Sequence, residues 1–172
     1  MVRGKKAISG VVTAVILIAL AIAIVAIVWV VVNNLVQEEL DEAGSCFEIF
    51  NKVTINPRFT CHNDTGNELQ FSVSVGDIDV DEALVSVAGQ GTTRSFTLSS
   101  VAGPVTNIVT YPDRETSVQL PGKNSGLTYI LDLTAAGFSG VPTAIEIAPK
   151  VGGNQCDVSD SLGQIDDCQL LS

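Results

Sequence analysis

The chain has 172 residues, 46% of them hydrophobic and 16% charged, and carries a formal net charge of −10. An acidic chain of this kind lacks the cationic surface that nucleic-acid phosphates require, so nucleic acid is excluded as a partner. The apolar share is concentrated: residues 7–32 are 26 positions without a charge, and all 19 acidic residues follow them.

Arg3, Lys5 and Lys6 precede the apolar run, and six of the nine basic residues come after it. About 20 apolar residues suffice to cross a bilayer as a helix. At about 1.5 Å per residue this run reaches about 39 Å. Fourteen of its positions are Val or Ile, which favour strands in water. Length predicts a helix instead, because strands stop after 4–8 residues and only a helix satisfies its own backbone in lipid. Trp29 suits the far membrane interface, and Asn33 and Asn34 mark the exit. Cations lead and Glu38, Glu39, Asp41 and Glu42 trail, which puts the N-terminus in the cytoplasm and the remainder outside. A conventional secretory signal fits poorly: its apolar stretch is shorter, and Val30-Val31-Val32-Asn33-Asn34 offers no small-x-small cleavage site.

At Lys5-Lys6-Ala7-Ile8-Ser9-Gly10, basic residues and a small residue open directly into an uninterrupted apolar helix. This segment resembles the precursors of archaeal type IV pilins and archaellins. The resemblance covers about the first 40 residues and is architectural beyond them. It implies that a prepilin peptidase cuts Ala7–Ile8, or at second choice Lys6–Ala7. The helix would then stay on the mature protein and become the filament core. Partners implied are other copies of the chain, joined through their N-terminal helices, the pilus assembly machinery, and the membrane before assembly. Bacterial members usually carry glutamate as the fifth mature residue, where this chain has Val12; archaeal members often lack it.

Association of apolar helices within lipid rests on close packing, which small residues permit. Gly10 and Ala14 are four apart, as are Ala19 and Ala23, with Ala26 close to one turn further on. Beyond the span, Val32, Val36 and Leu40 recur at i, i+4 and i+8 among acidic residues, so the helix continues with one apolar face. Gly44 and Ser45 supply a stop. The helix is expected over residues 8–43, after a leader of residues 1–7.

After Gly44 the period becomes two. Leu69-Gln70-Phe71-Ser72-Val73-Ser74-Val75 alternates strictly, as a half-buried strand does. Shorter alternations follow at Val85 and Val87, Phe96 and Leu98, Ile108 and Thr110, Val118 and Leu120, Tyr129 to Leu133, and Ile145 and Ile147. Gly/Pro-rich turns separate them. Strands at this spacing predict an all-β globular domain over residues 44–172, a β-sandwich that is immunoglobulin-like in outline, on the long N-terminal hydrophobic α-helix.

The four cysteines, Cys46, Cys61, Cys156 and Cys168, all follow the apolar run, which predicts two disulfides in an oxidising compartment. Of the three connectivities, the local pairs Cys46–Cys61 and Cys156–Cys168 are favoured. No C-x-x-C pair occurs, and His62 reads as a surface loop residue rather than a metal ligand. Asp77-Ile78-Asp79-Val80-Asp81-Glu82 opens like a calcium loop, but Glu82 replaces the glycine and Ala88 the final glutamate. It reads as a solvated strand edge. Gly122-Lys123-Asn124 lacks the first glycine and the Ser/Thr of a phosphate loop. No catalytic motif, cofactor site or metal site is expected. Asn63-Asp64-Thr65 is an N-glycosylation sequon. The expectation is an extracellular filament subunit for adhesion or motility, held in the cell membrane before assembly. The alternative is a single-pass anchored binding module for a carbohydrate or protein.

Overall fold

The computed structural model describes residues 5–47, 49–138 and 140–168, with helix side chains described for residues 10–37 and Cys46. Residues 1–4 of the expected leader, residues 1–7, lie outside the described residues. The chain divides into two compact units, Met1–Ala43 and Gly44–Ser172.

The first unit belongs to one helix, α1 (Lys5–Phe47, 43 residues). Its β-branched residues do not break it, since the run exceeds any strand and each backbone bond closes locally. The helix passes through Gly44 and Ser45 and ends at Phe47, later than the expected stop. A helical glycine costs only about 1 kcal/mol, and the last turn is covalently tied through Cys46.

The second unit is strand-rich. Its strands are β1 (Val53–Ile55), β2 (Cys61–Asn63), β3 (Glu68–Val75), β4 (Glu82–Gly89), β5 (Thr92–Ser99), β6 (Gly103–Pro104), β7 (Ile108–Thr110), β8 (Ser117–Val118), β9 (Ser125–Asp132), β10 (Ala144–Val151), β11 (Asn154–Gln155), β12 (Asp160–Leu162) and β13 (Asp166–Asp167). One sheet runs β13-β2-β3-β9-β7, with β1 also on β3; a second runs β11-β10-β4-β5, with β12 also on β10; β6 and β8 form a small pair. Among the described residues, all pairings are antiparallel except β13 with β2.

The alternation in β3 and β4 places one face of each sheet in a common core. Leu69, Phe71, Val73 and Val75 come from β3, Ala83, Val85 and Val87 from β4, Tyr129 and Leu131 from β9, and Ile145 and Ile147 from β10. Phe71 joins the sheets: its ring lies 5.1 Å from Tyr129, its cross-strand partner, and 5.7 Å from Phe96 of β5. Tyr129 is buried, which pushes its hydroxyl pKa up, and the hydroxyl donates to Gln119 O at 2.6 Å. Ser72 interrupts the expected polar face. It is buried, and its Oγ donates to Leu127 O at 3.3 Å while its N–H reaches Thr60 Oγ1 at 3.3 Å. At the β4–β5 hairpin Gln90 and Gly91 both take positive φ, 37° and 81°, as a two-residue turn matched to strand twist requires.

The disulfides are Cys46–Cys156 and Cys61–Cys168, which corrects the favoured local pairing. The reason is topological. β13 lies beside β2 with Asp166 opposite Cys61, so the following Cys168 comes to 4.9 Å of Cys61, Cα to Cα. Cys156 is held on the core by its N–H bond to Pro149 O at 2.9 Å. Cys46 packs against the same core. Two strands of two or three residues decide a pairing that spacing alone left open.

Candidate functional site

The most distinctive chemical surface is the middle of α1. Gly10–Gln37 is 28 residues long, and an 18-residue window within it has mean hydropathy 3.4, so the segment is long and apolar enough to cross a bilayer. Every side chain in it is exposed, Trp29 at 70%. A bare apolar cylinder of this length needs lipid or other helices around it. At 3.6 residues per turn, Gly10, Ala14 and Ala21 fall on one side of the helix. Ala19, Ala23 and Ala26 fall on roughly the opposite side. The small residues singled out from sequence, joined by Ala21, therefore form two opposed faces rather than one stripe. Ala7 and Ile8, the expected cleavage pair, lie in the first turns of α1; their side chains lie outside the described residues.

In the second unit, Asn63 ends β2, and its Oδ1 accepts from Thr65 N at 3.1 Å and Gly66 N at 3.4 Å. Asp64, Thr65 and Gly66 are exposed. The carboxamide oxygen shapes the turn, so the amide nitrogen, the atom a glycan joins, is not used in those two bonds.

His62 does not lie on a surface loop; it is buried at 4% exposure. β2 lies between β3 and β13, and His62 sits opposite fully buried Leu69, on the same face of the sheet. Its Nδ1 lies 2.9 Å from Asp64 Oδ1, while Nε2 has no hydrogen-bond partner among the described residues. The feature missed in the sequence was the register of β2 on β3, because a three-residue strand is too short for alternation to show.

The aspartate run is the crossover from β3 to β4 rather than a strand edge. Asp77, Asp79 and Asp81 are exposed, while Ile78 and Val80 pack against the core. Each of two aspartates braces a different neighbour. Asp77 Oδ1 accepts from Asn124 Nδ2 at 3.2 Å and pairs with Lys123 Nζ at 3.2 Å, and Asp81 Oδ2 accepts from Gly153 N at 3.2 Å. The Asn124 hydrogen bond, then Lys123, hold the Asp77 carboxyl below its ordinary value. The Gly122-Lys123-Asn124 turn is thus tied to Asp77. Among the described residues no three His, Cys, Asp or Glu side chains gather as a metal site.

Two adjoining depressions meet at Pro104–Asn107. One, about 520 Å³, is lined in part by Glu68, Arg114, Asp132 and Ile130. Arg114 grips Glu68 through both terminal nitrogens, each at 2.8 Å, which raises the guanidinium pKa. The other, about 470 Å³, lies along β5 and is lined in part by Arg94, Phe96, Val105, Leu131 and Ala136. Neither was visible in the sequence, because each joins residues from distant strands.

Comparison with known protein families, with curated proteins and with solved structures gives no match. What the chain itself defines is a strand-rich, twice disulfide-bonded domain on a long N-terminal apolar helix.

Proposed function

We propose that the chain is a structural subunit, pilin-like or archaellin-like, that polymerises through α1 into an extracellular filament. The observation that carries this reading is the exposed 28-residue apolar helix with small residues on two opposed faces. A plain anchor needs only apolarity. A dimer needs one close-packing face, whereas an open polymer needs two, one for each neighbour. The basic leader ahead of Ile8 and the chain's acidity beyond the helix agree with a segment processed at the membrane and a head exported from it. Two disulfides favour an oxidising compartment. The head is read as an immunoglobulin-like β-sandwich, and Asn63 as a glycan acceptor on its exposed turn. Nothing in the reading calls for enzymatic activity or a cofactor.

The second reading, a single-pass anchored binding module, is favoured by the depressions flanking Pro104–Asn107. N-terminal sequencing and intact mass of the protein recovered from cells separate the two. Removal of residues 1–7, with Ile8 or at second choice Ala7 as the new terminus, is expected for the filament subunit. Recovery of intact Met1 would reduce the protein to the anchored module. The same mass reports four hydrogens lost to two disulfides and any glycan on Asn63.

A further inference from the structure

The second sheet is open at β5. β4 pairs with β5 along its whole length, and among the described residues no strand lies on its other side. In an antiparallel ladder successive residues turn their backbone groups alternately toward the partner and away from it. The phase is set at the strand's end: Ser100 N–H bonds back to Asp81 O at 2.9 Å, whereas Ser99 O accepts Leu120 N–H at 2.7 Å from the opposite side. Thr93, Ser95 and Thr97 therefore turn their N–H and C=O groups outward. Among the described residues, Thr93 O alone of these is met, at 3.4 Å by Arg94 Nη1.

Sheet edges are normally guarded by proline, charge, a bulge or a covering loop. The edge of β7 is guarded: Thr110 N donates to Glu115 O at 3.0 Å and Thr110 O accepts Arg114 N at 2.9 Å. β5 has eight residues, no proline and one charge, Arg94, and its register with β4 is unbroken.

Beside that edge lies the depression of about 470 Å³. Arg94 and Phe96 project into it from the core-facing side of β5, opposite Val105, Leu131 and Ala136. Among the described residues, Arg94 is its only charged lining residue. Ala136 O fixes Arg94 Nε at 2.8 Å, and no carboxylate pairs with the guanidinium among the described residues. The cation is conspicuous in a region where acids outnumber bases 19 to six.

We infer that the β5 edge and this groove form a docking site for an extended peptide segment of a partner protein, added to the sheet as a further strand. The backbone edge demands an extended chain, because only that presents matching groups at strand spacing. Arg94 and Phe96 are two residues apart on one face, so the segment sets an aliphatic side chain against Phe96 and Leu131. Two positions along it, an Asp or Glu meets Arg94. The inference holds whether the chain polymerises or stands alone.

The test uses the full chain in detergent and a fluorescent, end-blocked peptide Thr-Val-Thr-Asp-Thr-Val-Thr, read by anisotropy. Saturable binding is expected, about tenfold weaker when the Asp is replaced by Lys. Arg94→Glu should reverse that preference. Ser95→Pro should abolish binding while sparing the β4 ladder, since the N–H it removes points outward. A peptide with its third Thr replaced by Pro should fail on the unaltered protein, which covers the case in which Ser95→Pro does not fold. Absence of saturable binding, equal binding of the Asp and Lys peptides, or binding indifferent to proline overturns the inference. Self-association lost in Ser95→Pro without peptide binding would assign the edge to a second copy, and also overturns it.

Discussion

Individual side chains in the head domain carry long-range duties that their sequence neighbours do not reveal. Cys46 and Cys156 are 110 residues apart and Cys61 and Cys168 are 107 apart. In the chain-entropy model a loop near 100 residues contributes about 4.7 kcal/mol. The two loops interleave, so their contributions overlap. Removing either disulfide by paired Cys→Ser substitution is expected to cost about 2–5 kcal/mol in denaturant unfolding, and peptide mapping should recover both long-range links. Recovery of Cys46–Cys61 would contradict the fold as well as the pairing, because β13 could not then bring Cys168 to β2. Asp77 gives a pH-dependent contribution. Its folded pKa is depressed by Asn124 and Lys123, so its stabilisation is complete above the ordinary aspartate value, about 4. It is lost as pH falls through the lower folded value. Asp77→Asn should therefore be less stable than the parent at neutral pH, by a small margin because the site is exposed, and the gap should close below about pH 4. A gap that persists at pH 2 would mean that packing of the turn, not charge, sets the difference.

Among the elements, α1 is where the proposed filament function and the stability of the head separate. Its apolar middle is exposed throughout, so substitutions there act on what surrounds the helix rather than on the head's core. Lipid accepts added bulk, whereas packed helices do not. Ala19→Leu with Ala23→Leu is expected to leave membrane insertion intact and to lower the ratio of sheared extracellular filament to membrane-held subunit. Gly10→Leu with Ala14→Leu, on the opposite side, should lower the same ratio if both faces are used. An effect from only one pair would point to a closed dimer, and an unchanged ratio from both would remove these residues as packing positions. The short strands teach a different lesson. β2 and β13 have three and two residues, too few for alternation to register. Yet the register of β2 on β3 sets His62 on the face of buried Leu69, and the pairing of β2 with β13 decides the Cys61–Cys168 link.

At the scale of the whole domain, the two sheets share one core, and an aromatic contact is part of what joins them. Phe71 touches Tyr129 within its own sheet and Phe96 across to the other, and it is fully buried. Phe71→Ala should cost about 3–5 kcal/mol, measured as a lower denaturant midpoint with little change in slope. A cost below about 1 kcal/mol would mean that the sheets are held together chiefly elsewhere. The head needs this core together with its disulfides, since both Cys46 and Cys156 pack on it.

The sequence by itself determined the helix, the strand-rich character of the head, its longest strands and the presence of two disulfides. All of these follow from local patterns: an unbroken apolar run, period-two alternation in residues 69–75, and an even number of cysteines after the apolar stretch. The tertiary structure alone decided which cysteines pair, that His62 is buried, that the aspartate run is a crossover, and that among the described residues β5 has an open edge beside Arg94, which no carboxylate meets. Those features depend on register and strand order. They bring together residues such as Arg94 and Ala136, or Cys61 and Cys168, whose proximity arises from non-local hydrogen bonding and core packing, and no local period in a sequence encodes it.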